Sequence, residues 1–278
     1  MLFIWLVMSR TVEILSIGNE LLMGKILNTN ARWLARRCTS LGLEVRRITV
    51  VGDDEKEICS AVKEALSRRP RFIITTGGLG PTLDDKTIES IAKCLDLELK
   101  VDEEALSMVR EAYKRLVEEG RLDSSELTPQ RVKMARMPEG ARPLPNPVGT
   151  APGMLLEVDG TTIISLPGVP AEMEAIFEES VLPVLKRAAG DVYFYETRLI
   201  VHGIVESDLA PILEDVMRAN PHVYIKSHPR WEGKTAYIEV YLSTTARDAS
   251  EAKSRIGSAV ARLTETVAQR AGGKIRPA

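Results

Sequence analysis

The sequence predicts an α/β domain built on a mainly parallel sheet, followed by a small α+β domain. Three observations carry this. Apolar runs of strand length alternate with amphipathic helical patterns as far as about residue 187. Those runs end in turns rich in glycine and carboxylates, as the strands of parallel sheets do at their ligand-binding ends. Beyond Gly190-Asp191 the pattern changes to strands alternating apolar and polar residues, with fewer intervening helices. A chain of 278 residues is too long for one small core, and the boundaries fall at 10–190 and 191–278.

The elements follow in order. Val12-Glu13-Ile14-Leu15-Ser16-Ile17-Gly18 reads as a buried strand closing on a glycine. Ala31, Leu34, Cys38 and Leu41 mark one face of a helix that stops at Gly42, and Val45–Val51 is a second strand. Ile58, Ala61, Val62, Ala65 and Leu66 mark a second helix, ending before Pro70. Phe72-Ile73-Ile74 is a third strand, and Thr87, Ile88, Ile91, Ala92 and Leu95 give the helix after it. Such βαβ units imply right-handed crossovers. A long helix carries Val109, Ala112, Tyr113 and Leu116, and a stretch dense in turn formers runs from Leu144 to Gly153. Thr161–Leu166 is a further strand, and one helix is expected from Ala171 to about Arg187. In the second domain, Glu196–His202, a helix through Leu209, Ile212, Leu213 and Val216, then His222–Lys226, Thr235–Leu242 and a last helix give β-α-β-β-α.

A net charge of -2 argues against a general nucleic-acid binder, and nucleic acid is not expected as a partner. Tyr224, Lys226, His228, Arg230, Trp231 and Lys234 mix basic and aromatic groups, as single-strand binders can, but a GXXG loop is missing. Cys38, Cys59 and Cys94 have no CxxC spacing and each sits in a helical pattern, which reads as buried free thiols in a reducing compartment. The apolar Met1–Met8 segment is too short to span a bilayer and lacks signal-peptide features, with Met8 an alternative start. A cytoplasmic protein without membrane association is expected.

The most informative stretch is Thr75-Thr76-Gly77-Gly78-Leu79-Gly80-Pro81-Thr82-Leu83-Asp84-Asp85. Strand, glycine turn, helix is the geometry that closes backbone N–H groups on a phosphate. Gly77, Gly78 and Gly80 have no Cβ to hold a ligand away. Asp84 and Asp85 are read as opening the following helix, as caps or as ligands of a divalent cation. At the same sheet rim the topology places Gly18-Asn19-Glu20 and Val51-Gly52-Asp53-Asp54, so Glu20, Asp53 and Asp54 join the acidic set. Structural alternatives stand beside these: Glu20 as a cap for the segment 21–27, Asp53 or Asp54 as the start of the second helix, and one of Asn28, Thr29 and Asn30 as an N-cap. His202, His222 and His228 lie away from the turn in sequence, and no zinc spacing exists.

Six motifs occur in a fixed order: Ile17–Gly24, Asn28-Thr29-Asn30, Thr49–Asp54, Thr75–Asp85, Asn146–Gly153 and Leu166-Pro167-Gly168-Val169-Pro170. Together they resemble the competence/damage-inducible protein A (CinA) family, over about residues 10–187. That resemblance implies a three-layer domain similar to the molybdopterin-binding MoaB and MogA proteins, and a KH-like second domain. Two positions depart from the family pattern: Asn19 stands where Thr is common, and Gly203-Ile204-Val205-Glu206-Ser207 replaces Gly-Ile-Gly-Glu-Ser. The sequence ends before a nicotinamide-nucleotide deamidase domain fits, so that activity is not expected.

The resemblance further implies a nucleotide-like ligand and metal-dependent hydrolysis of ADP-ribose to AMP and ribose 5-phosphate. Asp84 and Asp85 are the expected ligands of a divalent metal, magnesium or cobalt, with potassium as a second ion; Glu20 and Asp53 would place water or complete the metal shell. Gly18, Asn19, Asn28, Asn30, Thr76, Gly77, Gly78, Gly80, Pro81 and Thr82 would form one wall of the substrate site. Gly149, Thr150, Ala151, Gly153, Pro167 and Gly168 would form the other. A pterin-binding or pterin-adenylylating protein and a non-catalytic nucleotide sensor are the alternatives. A homo-oligomer, most simply a dimer, is expected from the same likeness.

Overall fold

The computed structural model describes residues 10–233, 235–271 and 273–277; Met1–Met8 and Lys234 therefore lie outside the described residues. The chain divides into two compact units, the second beginning at Gly190 and also taking in Ser40–Gly42.

The first unit runs β1 (Thr11–Ile17), α1 (Asn19–Leu22), α2 (Thr29–Ser40), β2 (Glu44–Val51), α3 (Glu55–Ser67), β3 (Phe72–Thr76), α4 (Thr87–Cys94), β4 (Leu99–Val101) and α5 (Glu103–Glu118). It continues with α6 (Pro129–Lys133), β5 (Arg136–Pro138), β6 (Arg142–Leu144), β7 (Gly153–Val158), β8 (Thr161–Leu166), α7 (Pro170–Ile176) and α8 (Leu182–Ala189). Six strands form one sheet in the order β2-β1-β3-β8-β7-β6. The first four run parallel, and β7 and β6 are added antiparallel. Leu15, Ile73 and Ile163 pack with Ile58, Val62, Ile91 and Val109 of α3, α4 and α5 on one face. Ile14, Ile74 and Ile164, of opposite parity, are equally buried. On that second face Trp33 of α2 meets Phe177 edge-on at 5.0 Å. Helices on both faces of a mainly parallel sheet make three layers, and burial on both faces explains why these strands read as continuous apolar runs.

The short elements β4, α6, β5 and β6 fall where the sequence marks none, and two longer features differ from expectation as well. Residues 153–158 form a strand, joined to β8 by a tight hairpin at Asp159-Gly160, both with positive φ (48° and 83°). The helix expected from Ala171 to about Arg187 is broken by a π-helical turn at Phe177–Val181. Pro183 explains it: a proline has no N–H and its ring crowds the carbonyl four residues back, and a wider turn relieves both.

The second unit contains β9 (Tyr193–His202), α9 (Glu206–Ala219), β10 (Tyr224–Glu232), β11 (Thr235–Ala246), α10 (Ala249–Ala271) and β12 (Lys274–Pro277). Its four strands are antiparallel throughout, in the order β10-β11-β9-β12. Strand β12 extends the expected β-α-β-β-α pattern by one element; with Ile275 its one large apolar residue, it carries little strand signal. Leu199, Val201, Ile238 and Val240 pack against Leu209, Ile212, Ile256 and Leu263 of the two helices. Pro229 is tolerated because β10 is an edge strand.

The cysteines are free thiols, but only Cys38 is buried as expected; Cys59 and Cys94 are half-buried. Burial pushes the Cys38 thiol up to about 12, with Arg37 opposing. Cys94 is likewise pushed up to about 12, first by burial and then by the Cys59 thiol, and its Sγ donates to the Cys59 carbonyl at 3.3 Å. Thiols held protonated in this way are poor nucleophiles at neutral pH. No helix among the described residues is long and apolar enough to cross a membrane.

Candidate functional site

The parallel register brings the carboxyl ends of β1, β3 and β8 side by side, with Ser16 opposite Thr76 and Thr76 opposite Leu166. The glycine turn leaves β3 at this rim. Gly77 and Gly78 have φ of 108° and 67°. The Gly77 Cα lies against the Ile17 carbonyl oxygen, so that a Cβ would overlap it. The Gly77 N–H donates to Leu166 O at 3.0 Å, tying the turn to β8. Thr87 ties its other end: Thr87 N donates to Gly78 O at 3.1 Å and Thr87 Oγ1 to Gly77 O at 2.8 Å.

The two aspartates do not open α4. Lys86 holds the capping position, with no side-chain capping bond. Asp85 instead turns inward and closes the preceding loop: its Oδ2 accepts from Thr82 N at 2.9 Å and Thr82 Oγ1 at 2.7 Å, and lies against the Gly80 Cα. Asp84 is exposed, between exposed Leu83 and half-buried Asp85. Pro81 is half-buried at the outer edge of the loop. Lys133 Nζ bonds the Thr82 carbonyl oxygen. A small pocket at the turn is lined by Gly78, Gly80, Asp85, Glu89, Lys133 and Arg136, so two cations border the predicted phosphate site.

On the other side of β3 lies a cleft of about 290 Å³, lined by Ile17, Glu20, Leu21, Ile26, Leu27, Asn28, Asn30, Thr76 and Gly168 among others. Buried Asn30 donates through Nδ2 to Thr76 Oγ1 at 3.0 Å and to Gly168 O at 2.8 Å, and Thr76 Oγ1 donates to Pro167 O at 2.9 Å. Asn28 is the expected cap, its Oδ1 accepting from the Ala31 N–H at 3.1 Å, and it also bonds Ser16. Gly168 approaches Gly77 closely: a Cβ built on Gly168 would stand 3.5 Å from the Gly77 Cα. The β8–α7 turn thus joins the cleft to the glycine turn.

Glu20 and Asp53 both lie at the start of α1. Glu20 sits within α1, not before the segment 21–27, and its carboxylate folds over the Gly18 Cα at the cleft wall. Asp53 does not start α3; its Oδ2 accepts from the Asn19 N–H at 2.8 Å and fixes the start of α1. Asp54 caps α3 by accepting from Lys56 N and Glu57 N. The Asn19 side chain packs on Gly52. Among the described residues no group of three His, Cys, Asp or Glu side chains converges as a metal site.

The Asn146–Gly153 segment is a bonded corner. Asn146 Oδ1 accepts from Gly149 N at 2.7 Å, while its Nδ2 donates to Ala151 O at 2.9 Å and Glu172 Oε2 at 2.6 Å. Arg115 Nη2 donates to Gly149 O at 2.9 Å. Thr150 is half-buried beside it, and a Cβ on Gly153 would come within 2.9 Å of the Ser165 carbonyl oxygen, so the strand pair excludes a side chain there. Lys133, Arg136, Glu172 and Thr87 take part in these arrangements without having been singled out in the sequence. Thr87 alone had a local signal, standing first in the helical pattern behind the turn.

The first unit is thus a three-layer α/β domain whose sheet rim carries a glycine turn, two bordering cations and an amide-lined cleft. Comparison with known proteins agrees with that class. Residues 13–187 match the family model described as a probable molybdopterin binding domain. A relative from Pyrobaculum arsenaticum is 48% identical over 263 residues, covering 94% of this chain and 96% of its own. Another from Thermoplasma acidophilum is 38% identical, covering 96% and 99%. The crystal structure of the protein CinA with unknown function from Thermoplasma acidophilum is 42% identical with a TM-score of 0.58, covering 63% of this chain and 98% of that one. The chain belongs to the family of probable molybdopterin-binding domains, in its CinA-like branch.

Proposed function

We propose that the first domain binds a phosphorylated pterin of the molybdopterin type at this rim. The observation that carries the reading is the adjacency of a glycine turn bordered by Lys133 and Arg136 to a cleft with apolar walls and amide side chains. The turn and the cations suit a phosphate. Ile17, Leu21 and Ile26 suit the faces of a planar ring, while Asn28 and Glu20 suit its polar edge. The family match supports the same ligand class.

A second reading is metal-dependent hydrolysis of a nucleotide pyrophosphate, in which water and ADP-ribose give AMP and ribose 5-phosphate. It is favoured by exposed Asp84 beside Asp85, with Glu89 lining the same pocket as Asp85. Asp84 and an Asp85 oxygen would hold a divalent ion, magnesium or cobalt, and potassium would serve as an additional charge. Such an ion supplies a water of lowered pKa and neutralises phosphate charge.

One experiment separates the two readings. The purified chain is titrated with a phosphorylated pterin, and AMP release from ADP-ribose is followed with each divalent metal, with and without potassium. In the pterin reading Asp84→Ala leaves pterin affinity within about twofold, because the exposed carboxylate makes no ligand contact, whereas Asp85→Ala opens the Thr82 loop and costs about 1–3 kcal/mol of binding. Metal-dependent AMP release that vanishes in Asp84→Ala, with no pterin affinity, reverses the choice. Self-association belongs to the same proposal: Leu22, Met23, Ile26 and Leu27, at the end of α1 and just after it, are exposed. Sedimentation equilibrium is expected to give a dimer, and a monomer at all concentrations removes that part.

A further inference from the structure

The second unit carries a surface that the ligand-binding rim does not use. Both of its helices pack on one face of the four-stranded sheet. Strand parity sends the alternate side chains to the opposite face. The register there builds two cross-strand rows with a tyrosine between cations. In the first, Lys226 of β10 stands opposite Tyr241 of β11, which stands opposite Arg198 of β9. In the second, Arg230 stands opposite Tyr237, whose ring lies 5.8 Å from that of His202, and His202 stands opposite Lys274 of β12.

Between the rows sits Glu239, only 8% exposed. Its carboxylate is bridged by Arg230 at 3.0 Å and Arg198 at 3.2 Å and accepts the Tyr241 hydroxyl at 3.2 Å. The Arg230 guanidinium, then Tyr241 and Arg198, hold that carboxyl below its ordinary range. One buried carboxylate thus fixes two arginines whose side chains stay about half exposed (48% and 55%). The trio keeps one net positive charge, and Lys226, Lys274 and Arg276 add to it on the same face. Glu196 and Glu232 stand apart, toward the strand ends. Tyr224, on the same parity of the edge strand, is 63% exposed.

We propose that this open sheet face binds single-stranded nucleic acid, with bases stacking on the tyrosines and phosphates meeting the lysines and arginines. Sheet-borne aromatic rings flanked by cations suit unpaired bases, which offer a π-face that a duplex hides. The chain's net charge of -2 is an average that conceals this face. Lys226, His228 and Arg230 are contiguous in sequence at alternate positions, but Arg198 and Lys274 reach them only through the register. Trp231, grouped with these residues in the sequence, falls on the other parity, and Lys234 lies outside the described residues. The proposal does not depend on the ligand of the first domain.

The test is fluorescence anisotropy of the full chain with labelled 12-nucleotide oligo(U) and oligo(dT), a duplex of equal length, and polyglutamate as competitor. Saturable binding to single strands is expected at low salt, weaker for the duplex. Log K should fall against log salt with a slope of about -2 to -3, from three to four neutralised phosphates at roughly 0.7 each. Lys226→Glu with Lys274→Glu should lower affinity at least about tenfold and flatten that slope. Tyr224→Ala should lower affinity by about fivefold or more while leaving the slope unchanged. All three residues are exposed, and unchanged thermal unfolding shows that the variants fold. Absence of single-strand binding at the lowest salt overturns the proposal. So do equal affinity for the duplex, displacement by polyglutamate as effective as by oligo(U), and indifference to both variants.

Discussion

Gly77→Ala is expected to destabilise the first domain by about 3–6 kcal/mol, a large part of the roughly 5–15 kcal/mol that holds a domain folded. Two costs add. At φ 108° an L-residue is strained by about 1–3 kcal/mol. The new Cβ also overlaps the Ile17 carbonyl oxygen, on the backbone of β1, which is paired with β2 on one side and β3 on the other. A strand held from both sides does not give way, so the turn must move and its Leu166 bond must break. Gly140→Ala supplies the control. It too has a positive φ, 80°, but nothing lies within 4 Å of its Cβ, so strain alone remains, about 1–2 kcal/mol. Thermal unfolding of both variants reads the difference, with the Gly77 variant lower by on the order of 10 °C. Equal melting points would mean that the close approach to Ile17 carries no weight. Ligand binding at the rim should fail with the turn, since the same backbone forms it.

That contrast shows what a sequence can disclose here and what it cannot. The glycines announce a tight turn because few other residues tolerate the conformation, and the strands β1, β3 and β8 announce themselves because burial on both faces demands unbroken apolar runs. Strands of three residues, β4, β5 and β6, are too short for any period to emerge. Strand β7 opens on Gly153 directly behind Pro152, and the turn formers conceal it. The site divides the same way. Asn28 as a cap and Asp54 as a cap follow from local chemistry. Two neighbouring aspartates look equivalent in sequence, yet Asp85 faces Thr82 while Asp84 faces solvent, a difference set by loop curvature. Lys133 and Glu172 reach the rim from segments distant in the chain, through α6 and α7 respectively. Their placement is a property of the packed domain, and no spacing rule could supply it.

Arg68→Ala should rank with Gly77→Ala in effect, for an electrostatic reason. Glu13 lies within β1, in the interior of the sheet, and is 2% exposed. A carboxylate in that position costs several kcal/mol to desolvate unless its charge is met. Arg68, at the end of α3, meets it with a two-pronged pair: Nε to Oε1 and Nη2 to Oε2, both at 2.7 Å. The carboxylate in turn raises the arginine above its ordinary value, chiefly through that hydrogen bond. Removing the guanidinium strands the buried charge and should cost about 3–5 kcal/mol. Arg68→Lys should recover part of this, since a point charge cannot reproduce the fork. Glu13→Gln should cost less than Arg68→Ala, because Arg68 is 29% exposed and can turn to water where Glu13 cannot. Replacing both residues by methionine should return stability close to the original, as apolar pairs of matched volume do in buried positions. The exposed pair Lys100–Glu98, 63% and 60% accessible, sets the opposite limit, and its removal should register below about 1 kcal/mol. Urea unfolding of the full set measures the order directly. An Arg68→Ala cost no greater than that of the exposed pair would mean that Glu13 finds water in the folded chain.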